Sequence, residues 1–259
     1  MSSSPCFPPC AFANSRSSPC HRDQPALSLT FTHSSISSSP LWNPSHATLT
    51  FSVLNQPSLS GQGAHIGVAT SYLSSLQEHD TLHVAVRPSH PAFSMPASPE
   101  STPAIYIAAG SGLAPFRGFV QERAAMLSSG QRTLAPAVLF FGCRSPDQDD
   151  LYRAQLDEWE ALGAVQVLRS YSRAAAAAGR ADGCRHVDDV MWQQRARLME
   201  LWRQGAKIYV CGSRGVAEAV KEAIVKIKVE ADGDEADEAA TRKWFEGLRN
   251  IRYVMDVFD

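Results

Sequence analysis

Four short stretches of this sequence set phosphate-seeking or reactive side chains directly behind an apolar run. Gly110-Ser111-Gly112 follows "AIYIAA", Cys143-Arg144 follows "AVLFFG", Ser172-Arg173 follows "VQVLRSY", and Cys211-Gly212 follows "KIYV". Glycines at 110 and 112 let a backbone approach a pyrophosphate closely. A helix opening near Pro115 would add unpaired N–H groups and a positive dipole end. The spacing is G-x-G-x-x-P, which departs from the usual dinucleotide fingerprint, so a plain strand-to-helix turn stays open for this stretch alone. The Ser172 hydroxyl and the planar fork of Arg173 suit a further phosphate, and Arg144 and Arg185 invite the same reading against that of loop arginines on a surface. Cys211 taken by itself reads as a buried strand cysteine.

The elements that must hold these residues follow from periodicity. From Ala104 onward, strand-like runs ("AIYIAA", "AVLFFGC", "VQVLRSYS", "KIYVCGS", "RYVMDVF") alternate with amphipathic stretches ("PFRGFVQERAAMLSSG", "DLYRAQLDEWEALG", "VDDVMWQQRARLMELWRQG", "VAEAVKEAIVKI" and an acidic helix around Trp244). Apolar strands alternating with helices predict a parallel sheet covered on both faces, and the handedness of crossovers makes it doubly wound. The fold class is therefore α/β, with a five-stranded parallel sheet. Ligands of such sheets sit outside the carboxyl ends of the strands. All four stretches fall there, and that coincidence carries more weight than any one motif.

The N-terminal part differs in kind. Residues 1–25 are rich in Ser, Pro and Cys without periodicity and predict a disordered segment; a transit peptide is the alternative, though no Arg-rich amphipathic helix can be drawn. Residues 26–98 turn to β patterns in "LSLTFTH", "ATLTFSVL" and "TLHVAV", interrupted by one helix in "GVATSYLSSLQ". They predict part of a small antiparallel β-barrel, closed off by the Pro-rich "MPASPESTP". The α/β domain then occupies residues 99–259. The formal net charge of −2 over 259 residues argues against nucleic acid as the main partner. No apolar run is long enough for a membrane segment, so a cytoplasmic protein is expected. The six cysteines read as free intracellular thiols, with Cys184 in a polar loop. A zinc site at Cys6, Cys10, Cys20 and His21 lacks the paired short spacing of that class, and no metal is expected.

Five of these stretches, "GSGLAPFRGFVQER", "LFFGCRSPDQDDLY", "YSR", "IYVCGS" and "RYVMDVF", come in order and at suitable spacing. Together they closely resemble the NADPH-binding half of the diflavin reductases, the NADPH–cytochrome P-450 reductase family. The resemblance is greatest to the reductase portion of fungal self-sufficient fatty-acid hydroxylases, and it extends over residues 32–259. It implies a ferredoxin–NADP reductase-like module with NADPH and FAD as cofactors, and FMN and haem on missing domains or a partner. The implied activity is hydride transfer from NADPH to FAD, then onward electron transfer to a cytochrome P-450 or another haem or FMN acceptor. The resemblance implies that Gly110, Ser111, Gly112 and Pro115 cradle the NADPH pyrophosphate, with Cys143, Arg144, Arg185 and Gly212 around the nucleotide. Ser172 and Arg173 would grip its 2′-phosphate. Cys211 would lie beside the nicotinamide with Ser35 and Asp256, Phe258 would cover the flavin ring, and Gly67, Val68, Ala69 and Thr70 would hold the FAD pyrophosphate. Where the family pattern has Arg and Tyr, this chain has Thr32 and Ser34, so a second reading stays open: a nucleotide-binding module that holds no flavin.

Overall fold

The structure is a computed structural model that describes residues 10–11, 34–58, 61–130, 132–173, 184–233 and 236–258. Five strands, β1 (Ala104–Ala109), β2 (Ala137–Cys143), β3 (Gln166–Tyr171), β4 (Lys207–Ser213) and β5 (Tyr253–Phe258), form one sheet in the order β3-β2-β1-β4-β5. Every pairing in it is parallel. The helices are α1 (Val68–Ser75), α2 (Leu113–Ser128), α3 (Arg153–Ala161), α4 (Val187–Gln193), α5 (Arg195–Arg203), α6 (Arg214–Asp232) and α7 (Glu238–Gly247).

Alternate strand residues feed two separate cores, which is why the strands read as continuous apolar runs. Ile105, Ile107, Ile208, Val210 and Tyr253 pack with α4 to α7. Tyr106, Ala108, Tyr209, Cys211 and Val254 pack with α2 and α3. The second core also takes in Phe93, whose ring lies 6.0 Å from those of Phe116 and Tyr209. Ala92 and Ser94 on either side are tied down as well, their carbonyls accepting from Lys207 Nζ at 2.9 Å and from the Tyr209 hydroxyl at 2.7 Å. The Pro-rich connection is thus anchored to the sheet.

Several expected boundaries move. The helix expected to open near Pro115 begins at Leu113, after a 3₁₀ turn over Gly110–Gly112. The single helix expected over 187–205 breaks at Gln194, and the Trp192 carbonyl freed there accepts from Arg195 Nη1 at 3.1 Å. The helix expected from Asp150 starts only at Arg153, because Tyr152 takes a left-handed conformation (φ 56°). Its hydroxyl and ring are held by Thr50 and Arg117, which offsets that strain. Cys184, read as a polar-loop residue, is buried with Val187 and Met191. Within the segment expected to be irregular, Cys10–Ala11 pairs antiparallel with His46–Ala47.

The barrel-like part is less regular than its alternation suggested. "LSLTFTH" lies outside the described residues. Of the expected strand at 47–54, Ala47 and an isolated bridge from Leu49 to Ile36 carry pairing, and residues 81–86 form no strand. Alternation supplies a face, whereas a strand also needs a neighbour to take its N–H and C=O groups. A short antiparallel pair, Asn55–Pro57 with Ala64–Ile66, leads into α1.

Candidate nucleotide site at the carboxyl edge of the sheet

The strand order reverses direction between β1 and β4. After β1 the chain enters α2 on one face, and after β4 it enters α6 on the other, so the two loops meet at the topological switch point where such sheets bind ligands. Gly110 has φ +55°, a left-handed value that favours glycine. Gly112 is required for a different reason: a Cβ there would stand 2.1 Å from the Cys211 carbonyl oxygen and 3.0 Å from Gly212 N. The glycine turn is therefore pressed against the end of β4, and the first turn of α2 comes as close to the switch point as a main chain can. Pro115 lies in that first turn, where its missing N–H removes no helical bond. The arrangement brings a positive helix end and the β4 main chain together at the switch point.

The second cluster lies at the ends of β2 and β3. The ladder runs on past both strands, with Ser172 N donating to Cys143 O (2.9 Å) and Arg173 N to Arg144 O (2.8 Å). Arg144 and Ser172-Arg173 are thereby neighbours, and Arg185 Nη2 reaches Ser172 O at 3.4 Å. Carboxylates fix two of these backbones. Asp149 Oδ1 accepts from Arg144 N (2.7 Å) and Ser145 N (3.1 Å), and Asp189 Oδ2 accepts from Arg185 N (2.8 Å) and His186 N (3.0 Å). The side chains of Arg144, Arg173 and Arg185 remain exposed, a compact group of cations beside one hydroxyl. Cys143 contributes differently: its thiol turns inward to Ser170 O at 3.7 Å. Burial pushes it up to about 12, helped by the Asp150 and Asp149 carboxylates.

The third cluster lies on β4 and β5. Register pairs Cys211 with Asp256 and Ser213 with Phe258. Cys211 is buried, and both burial and the neighbouring Asp256 charge push its thiol well above the ordinary range. The fold thus favours the neutral S–H over a thiolate. Asp256 and Phe258 alternate with Val257 and so share the sheet face of α2, with the Phe258 side 43% exposed.

The expected flavin-side residues come from the part of the chain before the sheet. Ser35 sits in irregular backbone, and among the described residues no hydrogen bond joins it to Cys211 or Asp256. Gly67 caps α1, with Gly67 N donating to Leu54 O at 2.9 Å. Thr70 Oγ1 lies 2.8 Å from where a Gly67 Cβ would be, so glycine fits that turn. Val68 is 86% exposed and α1 buries no residue.

The fold is a doubly wound parallel α/β sheet, and the family model of the oxidoreductase NAD-binding domain matches its residues 106–222. Over most of its length the chain is similar to the sequences of fungal cytochrome P450/NADPH–P450 reductase fusions. It is 53% identical to the bifunctional cytochrome P450/NADPH–P450 reductase of Fusarium oxysporum, over 87% of this chain and 21% of that protein. It is 47% identical to the self-sufficient cytochrome P450 monooxygenase CYP505U2 of Exserohilum turcicum, again over 87% of this chain and 21% of the relative. The similarity to the bifunctional protein ascE of Acremonium egyptiacum is 42%, over 86% and 21%. The chain thus spans about a fifth of the length of the curated relatives it matches. The resemblance read from the five ordered motifs is met by these comparisons.

Sequence reading missed the residues that support the site: Arg117, Asp149, Asp150 and Asp189. Arg117 was in plain view inside "GSGLAPFRGF", but a motif does not say that its arginine is buried. The signal lay in the helix pattern, where Arg117, Gly118, Gln121 and Glu122 interrupt the apolar residues of α2 along one side.

Proposed function

We propose that this chain is the nucleotide-binding end of an NADPH-dependent reductase of the cytochrome P-450 reductase type, organised as a segment 1–25, a partial FAD-binding barrel 26–98 and an NADPH-binding domain 99–259. The observation that carries this reading is the close approach of Gly112 to the Cys211 main chain at the switch point, with an arginine cluster at the neighbouring strand ends. NADPH bound here would supply a hydride, and FAD would supply the acceptor that splits it into single electrons for an FMN or haem group such as that of a cytochrome P-450.

The chain's own residues do the positioning. Gly110, Ser111 and Gly112 leave the pyrophosphate a main-chain floor, and the helix end of α2 stabilises its charge. Ser172 and Arg173, with Arg144 and Arg185 beside them, grip the 2′-phosphate and favour NADPH over NADH. Cys211, protonated at all physiological pH, offers a neutral donor beside the nicotinamide ring, and Asp256 in register with it orients the carboxamide end. Phe258 covers the flavin and gives way when nicotinamide enters. Ser35 is the flavin-side hydrogen-bonding group, and Gly67 to Thr70 serve the FAD pyrophosphate.

The test compares NADP⁺ and NAD⁺ affinities by calorimetry in wild type and Arg173→Ala. Loss of one charge-assisted phosphate contact of about 1.5–3 kcal/mol predicts roughly ten- to hundred-fold weaker NADP⁺ binding, with NAD⁺ unchanged. Equal losses for both nucleotides would refute the 2′-phosphate assignment. FAD titration followed by NADPH-driven reduction of an artificial acceptor tests the remainder. A second reading, a module that binds NADPH without flavin, is favoured by one observation: α1, which would carry the FAD pyrophosphate, buries none of its residues.

A further inference from the structure

Arg117 has no place in the nucleotide contacts above, yet it is 6% exposed and its charge is fully engaged. Its Nη1 donates to Ser37 O at 2.6 Å, and Nε and Nη2 both donate to Gln155 Oε1 at 3.1 and 2.8 Å. The guanidinium carbon lies 4.2 Å from the centroid of Tyr152 and 5.8 Å from that of Trp159. Tyr152 in turn bonds Thr50 Oγ1 (2.8 Å), which bonds Ser37 Oγ (2.8 Å). One cation therefore joins α2, α3 and the segment Ser37–Ser39.

That segment lies across α2 as a strap. Ser39 N donates to Gln121 Oε1 at 2.9 Å and Ser39 Oγ to Glu122 Oε2 at 3.0 Å. The strap lies within van der Waals reach of α2 at Gly118, where a Cβ would stand 3.4 Å from Ser38 O. Ser37, Ser38 and Ser39 are buried, and Ser35 stands two residues ahead of the carbonyl that Arg117 holds. The N-terminus of the same helix carries the glycine turn.

We propose that Arg117 is a positioning residue that fixes the strap bearing Ser35 against the nucleotide-cradling helix, so that nucleotide cradle and flavin-side serine move as one body. This rests on the reading of Ser35 as a flavin-side group. Charge gives the selectivity: a buried guanidinium that bonds a carbonyl and stacks on two aromatic rings cannot be replaced by an apolar side chain without freeing the strap.

The experiment uses the full chain and the variants Arg117→Met, Arg117→Lys and Gln155→Ala, each checked for a cooperative thermal transition. Amide hydrogen exchange is followed at Ser37 and Ser39, whose N–H groups are bonded to Thr48 O and Gln121 Oε1. NADP⁺ affinity is measured beside it. Arg117→Met should speed exchange at both amides about ten- to hundred-fold, leave NADP⁺ affinity within about two-fold, and slow NADPH-driven bleaching of bound FAD. Arg117→Lys should restore part of the protection, and Gln155→Ala, which loosens the guanidinium while keeping its charge, should show a smaller rise in exchange. Unchanged protection in Arg117→Met, or loss of NADP⁺ affinity in step with strap protection, overturns the proposal. If Arg117→Met does not fold, unchanged exchange in Gln155→Ala overturns it instead. A wild-type chain that binds NADP⁺ but takes up no FAD overturns the flavin reading and the bleaching part of this inference, while the exchange measurement still decides the positioning.

Discussion

Adding one methyl at Gly112 tests the geometry of the switch point more sharply than any polar substitution. In Gly112→Ala the new carbon meets Cys211 O at 2.1 Å, Cys211 C at 2.7 Å and Gly212 N at 3.0 Å, all of them β4 main chain. No rotamer relieves such an overlap. Restoring a carbon–oxygen separation of about 3.3 Å requires the turn and the start of α2 to withdraw by roughly 1 Å. Strand β4 cannot yield instead, because it is hydrogen-bonded to β1 on one side and β5 on the other. Overpacking of this kind costs about 1–3 kcal/mol, which for a chain of this size lowers Tm by roughly 2–4 °C per kcal/mol. The same displacement pulls the helix end from its ligand, so NADP⁺ affinity should fall about ten-fold or more. Gly110→Ala is the internal control. Its Cβ would meet nothing within 4 Å, and its cost comes only from φ +55°, roughly 1–2 kcal/mol without displacement of the helix. Thermal melts and NADP⁺ calorimetry on both variants decide the matter. A Gly112→Ala chain with wild-type Tm and wild-type affinity, or a Gly110→Ala chain that loses more affinity than Gly112→Ala, would refute the close-approach argument.

Other outcomes follow from the same structure. Asp150 has no exposed side-chain surface and accepts from Arg169 Nε at 3.1 Å and from the Tyr171 hydroxyl at 3.0 Å; Asp150→Ala leaves both without that partner and should cost about 3–5 kcal/mol in urea unfolding, against less than about 1 kcal/mol if the network were only a surface pair. Tyr209→Phe removes the bond to Ser94 O and should cost about 1 kcal/mol by chemical denaturation, with the ring packing kept. The thiols of Cys143 and Cys211 are raised in the fold, so the protonated forms are the ones the native state favours. Their contribution is complete below the unfolded thiol value near 8.5 and is lost as pH rises above it, by up to about 1.4 kcal/mol per pH unit for each thiol. Urea midpoints measured between pH 7.5 and 10 should therefore fall, and a flat profile would count against buried neutral thiols; native-state alkylation at pH 8 should likewise spare both.

The sheet half was legible because its signals are local and redundant. Each strand from Ala104 onward is an apolar run, each is followed by a helical pattern, and the ligand-type residues recur at the same end of every strand. Periodicity could not show that Tyr152 adopts a left-handed turn, since its partners Thr50 and Arg117 lie far away in sequence. Nor could it place Cys184, whose polar neighbours in sequence hide a side chain that points into the core of α4. In the described residues 34–58 and 61–98 fewer strands form than alternation predicts, for another physical reason. Alternation in "ATLTFSVL" and "TLHVAV" is real, but strand formation is decided by pairing, and here the described neighbours provide little of it.

That difference has a consequence for the site. The cradle residues are fixed by a sheet buried on both faces, whereas Ile36, Leu41, Trp42, Val53, Leu54, Ile66, Val68, Tyr72, Val84 and Val86 all stay exposed. A segment with so much apolar surface in water has little core of its own to define its shape. Its position relative to the sheet must then come from the few places where it is bound to the sheet half. Among the described residues these include the Phe93 plug with its Lys207 and Tyr209 bonds, and the Ser37–Ser39 strap with Arg117, Gln121 and Glu122, beside which Thr50 bonds Tyr152. The plug meets the sheet at Lys207, the amino end of β4, remote from the glycine turn, while the strap crosses the helix that begins at that turn. Of the two, the strap lies along the helix that begins at the glycine turn, where Arg117, Gln121 and Glu122 together hold Ser37 and Ser39, so under the reading proposed above its loss is the one expected to change the distance between a nucleotide at Gly112 and a group at Ser35.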